Sequence, residues 1–183
     1  MESAPPFLGG GNLVPVPNFF HEALGDAFQC FGCAPGNPSS LQGKFYVREE
    51  SQVREVLGFF PPAGPQRTSF PHLVHGGILS SIIDDSAYWT LFHHCRVLGV
   101  TTEMNVKYLA PCPDSVNILA VGTLHPDTPS LPPSGSVATV NVEVYNEQTG
   151  KQVAKGQVKF FLLPKEKVPQ VMGTAAVELL HKL

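Results

Sequence analysis

His75-Gly76-Gly77 opens a strongly apolar run, Ile78-Leu79-Ser80-Ser81-Ile82-Ile83, which ends on the paired acids Asp84-Asp85. Two glycines at the mouth of a helix leave backbone N–H groups open to a ligand. Those groups, with the positive end of the helix dipole, suit an oxygen that gains negative charge. A carboxylate two turns into an otherwise greasy helix is costly unless it is paired or used. Together these residue types describe a carbonyl polarised at Gly76 and Gly77 and attacked by water, or by the carboxylate itself. The same residues also serve plainer ends: glycines permit close helix–sheet packing, and an Asp pair can be a solvated edge.

The elements that must hold these residues follow from the pattern around them. Apolar residues run on nearly every face from about Gly76 to about His94, which predicts one long, largely buried helix. Ile78, Ile82, Asp85, Trp89 and Phe92 share one stripe of it. Two strand-like segments precede it, at 44–48 and 52–57, and a proline-rich loop at 61–71 leads into the glycines. Four strand-like segments follow, at 97–109, 115–124, 137–145 and 152–162, with a turn at 146–150 between the last two. Residues 126–135, with four prolines, read as a longer loop.

Residues 1–18, with Pro5, Pro6, Pro15, Pro17 and a Gly9-Gly10-Gly11 triplet, read as an irregular or mobile arm. A short helix is expected over 19–28 and another over 173–183. The expected organisation is an arm at 1–40, a domain at 41–164 and a C-terminal extension at 165–183.

Composition narrows the function. The chain has 183 residues, enough for one domain with one core. Its content is 43% hydrophobic and only 15% charged, which suits a chain that hides more surface in an oligomer. A net charge of −3 carries no broad pull toward nucleic acid or anionic membrane. No apolar run of about 18 residues is present, so no membrane span is expected. No basic leader or signal-like core is seen, and a cytoplasmic location is the default expectation. The four cysteines, Cys30, Cys33, Cys95 and Cys112, do not suggest a disulfide framework. Cys30 and Cys33 form a lone CxxC. Zinc would need two further ligands, for which Cys95, Cys112, His93 and His94 are candidates on paper, and neither a metal nor a cofactor is assigned.

Three segments carry a resemblance. They are Phe70 through Asp84, then Val100-Thr101-Thr102-Glu103-Met104-Asn105-Val106-Lys107-Tyr108-Leu109-Ala110-Pro111, and Cys30-Phe31-Gly32-Cys33-Ala34-Pro35-Gly36-Asn37-Pro38. Over roughly residues 28–163 the chain resembles the hot-dog-fold acyl-CoA thioesterases, in the PaaI-like and THEM-like branch with an HGG…D pattern. The resemblance implies an α+β hot-dog fold: one long central helix wrapped by a mostly antiparallel sheet of about five to six strands. It implies a homodimer with a continuous sheet, or a dimer of dimers.

Carried over residue by residue, it makes Asp84 the base or nucleophile, with Asp85 as runner-up, and Gly76 and Gly77 the oxyanion donors. Thr101 would hold the water or the acid, and His75 would orient the loop or cap the helix. The glycines would come from one chain and the acid and Thr from the other. Many members carry an Asn or Gln before HGG, aimed at the thioester carbonyl. Here Ser69 occupies the best-matching position, with Gln66 and His72 nearby. Arg67, Arg96, Lys107 and Lys155 are candidates for CoA phosphates, and an acyl tunnel lined by Trp89, Leu91 and Phe92 is expected.

The leading expectation is hydrolysis of an acyl-CoA or related acyl thioester to free acid and thiol. The alternatives are a non-catalytic acyl-CoA-binding module of the same fold, and a hot-dog dehydratase or hydratase.

Overall fold

A computed structural model describes residues 12–49 and 51–173. Strands β1 (Leu13–Pro15), β2 (Lys44–Arg48) and β3 (Glu55–Phe60) precede a two-stranded hairpin of β4 (Thr68–Phe70) and β5 (Leu73–Val74). The long helix α2 (Gly76–Cys95) follows, after the short helix α1 (Phe19–Leu24) earlier in the chain. Strands β6 (Gly99–Tyr108), β7 (Ile118–Leu124), β8 (Val137–Asn146) and β9 (Gln152–Leu162) come next, and α3 (Val168–Met172) closes the described chain. The main sheet has the order β1-β2-β3-β7-β8-β9-β6, with every pairing antiparallel.

The sheet holds seven strands, where five to six are expected from sequence. The extra strand comes from Leu13–Pro15, a segment read as irregular arm, which pairs with Tyr46–Arg48. Proline tolerates this place because an edge strand has one side that need not donate to a ladder. The second strand also shifts, from the expected 52–57 to Glu55–Phe60. Its apolar end pairs with Ile118–Ala120, and burial on both faces hides the alternation a half-exposed strand would show. Pro61 and Pro62 then end it. The terminal helix expected over 173–183 lies outside the described residues.

Helix α2 lies against the sheet. Glycines let it approach: a Cβ at Gly156 would come within 2.9 Å of the Ile83 side chain, and one at Gly122 would overlap Thr90. Leu79, Ile82, Ile83, Ala87, Trp89, Leu91 and Phe92 are all buried. The face turned from the sheet is covered by α1 and by the segment around Cys30–Cys33. Phe20 of α1 sits 4.7 Å from the Phe92 ring and 5.6 Å from Trp89, and Phe45 stacks on Trp89 at 5.1 Å. A helix buried on both sides needs apolar residues all round, which is why α2 has no single greasy stripe. No helix among the described residues is long and apolar enough to cross a membrane.

Candidate functional site

The start of α2 is shaped by its cap. His75 has an extended backbone, and its Nδ1 accepts from the Gly77 N–H at 2.9 Å. Its carbonyl accepts from the Ile78 N–H at 2.9 Å. The β4–β5 hairpin delivers His75 to this place, fixed by the His75 N–H to Arg67 carbonyl bond at 2.8 Å and the Val74 N–H to Cys112 carbonyl bond at 2.9 Å. The expectation of two bare amides is corrected here. The Gly77 N–H is taken by the imidazole, which satisfies one orphan donor of the helix end. The Gly76 N–H has no partner among the described residues.

Tyr108 is the neighbour of this opening. Its hydroxyl donates to the Gly76 carbonyl at 3.1 Å and lies 2.6 Å from Ser80 Oγ. A Cβ on Gly76 would meet the Tyr108 ring at 3.3 Å. Neither Tyr108 nor Ser80 is a site residue in the sequence reading. No periodicity marks them, since their meeting depends on how β6 lies beside the helix.

Farther along α2, the half-buried Asp84 accepts a hydrogen bond from Thr101 Oγ1 at 2.7 Å. A β-bulge in β6 makes this contact. Thr101 pairs with Phe160 and Glu103 with Lys159, so Thr102 is an extra residue, and its hydroxyl donates to the Lys159 carbonyl at 3.1 Å. One extra residue flips the alternation of a strand. Thr101 therefore faces α2 along with Met104, Val106 and Tyr108, which strict alternation would forbid. Only the bulge separates Thr101, at the acid, from Thr102, which closes the ladder.

Eight helical residues separate Gly76 from Asp84, a rise of about 12 Å. One thioester carbonyl cannot touch the Gly76 amide and the Asp84 carboxylate of the same chain.

Asp85, the alternative acid, points the other way. Its Oδ1 accepts from the thiols of Cys30 at 3.4 Å and Cys33 at 3.6 Å. Burial, then the charge of Cys30 beside it, pushes its carboxyl well above the usual range. A hydrogen bond from Cys33 draws the Cys30 thiol down to about 6, while the same bond and burial push Cys33 up. The geometry thus separates the two acids, which helical periodicity could not.

The remaining candidates scatter. Ser69 is exposed on the hairpin, and its hydroxyl makes no hydrogen bond among the described residues. His72 turns the hairpin with a left-handed backbone (φ 66°). Arg67 donates to the carbonyls of Ser39 and Ser40, at 3.1 and 2.7 Å, and Arg96 lies over the Phe92 ring, so both have structural duties. Lys107 and Lys155 are exposed and stand directly opposite each other on β6 and β9. The expected tunnel is not lined as predicted: Trp89, Leu91 and Phe92 are at most 1% exposed and packed in the core. A cavity of about 220 Å³ opens instead beside the Cys33 segment, lined by Val16, Asn18, Cys33, Gln42 and Phe45 among others.

Comparison with known proteins agrees with this architecture. Residues 72–124, which carry α2, β6 and β7, match the family model described as Thioesterase superfamily. A search of the curated proteins gives no match. Among solved structures, zebra fish thioesterase superfamily member 2 is similar over 79% of this chain and 93% of its own, with TM-score 0.57 and 18% identity. The Escherichia coli PaaI protein of the phenylacetic acid degradation operon matches over 68% of this chain and 81% of its own, with TM-score 0.56 and 15% identity. A Streptococcus mutans protein bound to acetyl CoA matches over 63% and 92%, with TM-score 0.51 and 18% identity. The antiparallel sheet packed on one long helix is the hot-dog arrangement of these structures, and residues 72–124 carry the similarity to the thioesterase superfamily.

Proposed function

We propose that the protein hydrolyses an acyl-CoA or a related acyl thioester to free acid and thiol, using Asp84 to activate water. The observation that carries this reading is the Thr101–Asp84 hydrogen bond of 2.7 Å on an accessible edge of the molecule. A hydroxyl held on one carboxylate oxygen orients the acid and leaves the other oxygen for a water. The Gly76 N–H, unclaimed and at the positive end of a 20-residue helix, is the donor for the developing oxyanion. His75 serves as the cap that aims this end and does not act as a base. The acetyl-CoA-bound relative supports CoA as the thiol carrier.

The site is completed by a second copy of the chain. The rise of about 12 Å between Gly76 and Asp84 supports this, since one chain cannot bring both groups to one carbonyl. Strand β6 is one edge of the sheet among the described residues, and Met104, Tyr108 and the following Leu109 are 38, 55 and 47% exposed there. Pairing β6 with its symmetry mate would continue the ladder, hide an edge, and bring the Gly76 of one copy toward the Asp84 of the other. Lys107 and Lys155 offer the charge for CoA phosphates on that surface.

Two inactive variants, Asp84→Asn and Gly76→Val, test the cross-subunit site when unfolded together and refolded. Random mixing puts one intact site in each heterodimer, so about one quarter of the parent activity returns. No recovery in the mixture, with dimers confirmed by light scattering, rejects the shared site. A thiol-reactive dye over a panel of acyl-CoAs gives the turnover. The capped Gly77 amide, and Ser69 standing where the resembling family carries Asn or Gln, favour one second reading, a non-catalytic acyl-CoA-binding module. Thermal stabilisation by acyl-CoA without thiol release distinguishes it.

A further inference from the structure

The CxxC segment is not absorbed by the proposed reaction. Its thiols lie on the face of α2 turned from the sheet, and they meet a carboxylate there. Cys30 Sγ, Cys33 Sγ and an Asp85 oxygen all fall within 4.8 Å of one another. The two sulfurs stand 3.4 and 3.6 Å from the same oxygen, Asp85 Oδ1. Around a tetrahedral zinc ion, with bonds of about 2.3 Å to sulfur and 2.0 Å to oxygen, neighbouring S and O donors are about 3.5 Å apart. Both sulfur–oxygen distances match such an edge.

Independent features point the same way. Asp85 Oδ2 is buried without a hydrogen-bond partner among the described residues. An unsatisfied buried carboxylate oxygen is costly and calls for an explanation such as an ion. The backbone makes room for the carboxylate, since a Cβ on Gly32 would overlap the Asp85 carboxyl group. The supporting shell is present as well. The Trp89 Nε1–H donates to Cys33 Sγ at 3.2 Å. Donors of this kind stabilise thiolate ligands and fix their direction. Cys33 also lines the 220 Å³ cavity, which supplies an entry path. The ligands that looked possible from sequence are elsewhere: Cys95 Sγ faces the Pro129 carbonyl, Cys112 Sγ the Pro113 carbonyl, and His94 Nε2 the Glu55 carbonyl.

We infer that Cys30, Cys33 and Asp85 form a binding site for a thiophilic divalent ion of the zinc type, with the fourth tetrahedral position open to water. Two thiolates select such an ion over magnesium or calcium, which take oxygen ligands. On binding, the protons still held by the two thiols and the carboxyl group pass to solvent, and no electron is transferred. The ion would tie the 28–43 segment to α2.

The test uses the full chain, reduced, freed of metal with a chelator, and given Zn²⁺ or Co²⁺. After gel filtration the parent retains one zinc per chain by mass spectrometry. Its Co²⁺ form shows thiolate-to-metal charge-transfer absorption and intense tetrahedral bands. Cys30→Ser and Asp85→Asn each weaken retention by at least about tenfold, on the scale of losing a ligand or its support, with circular dichroism reporting the fold. A reduced parent chain that keeps no zinc overturns the inference. So does a Co²⁺ spectrum of six-coordinate type without charge transfer, or variants that hold as much metal as the parent. The cobalt spectrum of the unsubstituted chain decides even where a variant fails to fold.

Discussion

Thr101→Val isolates the contact on which the proposed mechanism turns. It removes one hydroxyl with almost no change of shape, on an exposed strand edge. The lost bond is 2.7 Å long and donated to Asp84 Oδ1. Hydrogen bonds to charged groups contribute about 1.5–3 kcal/mol, and exposure of Thr101 puts this one at the lower end. A loss of about 1.4 kcal/mol is tenfold in rate, so kcat/KM should fall about tenfold. Asp84→Asn removes the base itself, and general-base loss costs about 10²–10⁴-fold. Both side chains lie outside the core, so stability should move by no more than about 0.5 kcal/mol in either variant. The double variant decides the argument. If Thr101 works by positioning Asp84, then Thr101→Val does nothing further in the Asp84→Asn background. The assay is thiol release from an acyl-CoA under kcat/KM conditions, with urea denaturation as the fold control. Full activity in Asp84→Asn refutes the assignment of the acid. Additive losses in the double variant refute the role given to Thr101.

Other expectations follow from the same geometry. Gly76→Ala sets a methyl group 3.3 Å from the Tyr108 ring, over the free amide. Loss of an oxyanion donor costs about 10²–10³-fold in kcat, while a helix gains up to about 1 kcal/mol from Gly→Ala. Turnover should therefore collapse while Tm holds or rises, and parallel loss of both would argue for a packing role alone. Phe20→Ala empties a ring site between Phe19, Phe28, Tyr88, Trp89 and Phe92 and should cost about 3–5 kcal/mol in urea titrations. Burial lowers His93 from 6.5 to about 4 and lowers His94 as well. The unfolded chain then binds protons that the folded chain refuses. Stability is full above pH 6.5 and falls as the pH drops toward about 4. His93→Gln with His94→Gln should flatten Tm across that window, and an unchanged slope would contradict the assignment.

How much of this was readable before folding varies by element, for physical reasons. The long helix was legible because apolar residues on every side from Ile78 to Phe92 admit no exposed surface element of that length. The strands β6 to β9 were legible from β-branched runs between turn residues. Leu13–Pro15 was not, because a three-residue edge strand containing proline carries a turn's composition and is stabilised by its partner alone. Leu91, Trp89 and Phe92 looked like tunnel walls, yet α1 and β2 deliver Phe20 and Phe45 onto that face and fill it.

The site divides in the same way. Residue types alone determined that glycine amides, a helix dipole and a carboxylate lie on one element, because their order along the chain is their order along the helix. Only tertiary structure decided which acid joins which partner. Asp84 and Asp85 are adjacent and about 100° apart on the helix. One meets Thr101 because a bulge re-aims β6, and the other meets Cys30 and Cys33 because Gly32 lets a distant loop close over it. The occupation of the Gly77 amide by His75 was equally a matter of geometry, set by the hairpin that delivers the cap. Contacts between residues 17 to 55 positions apart depend on how elements dock, and no local pattern encodes that.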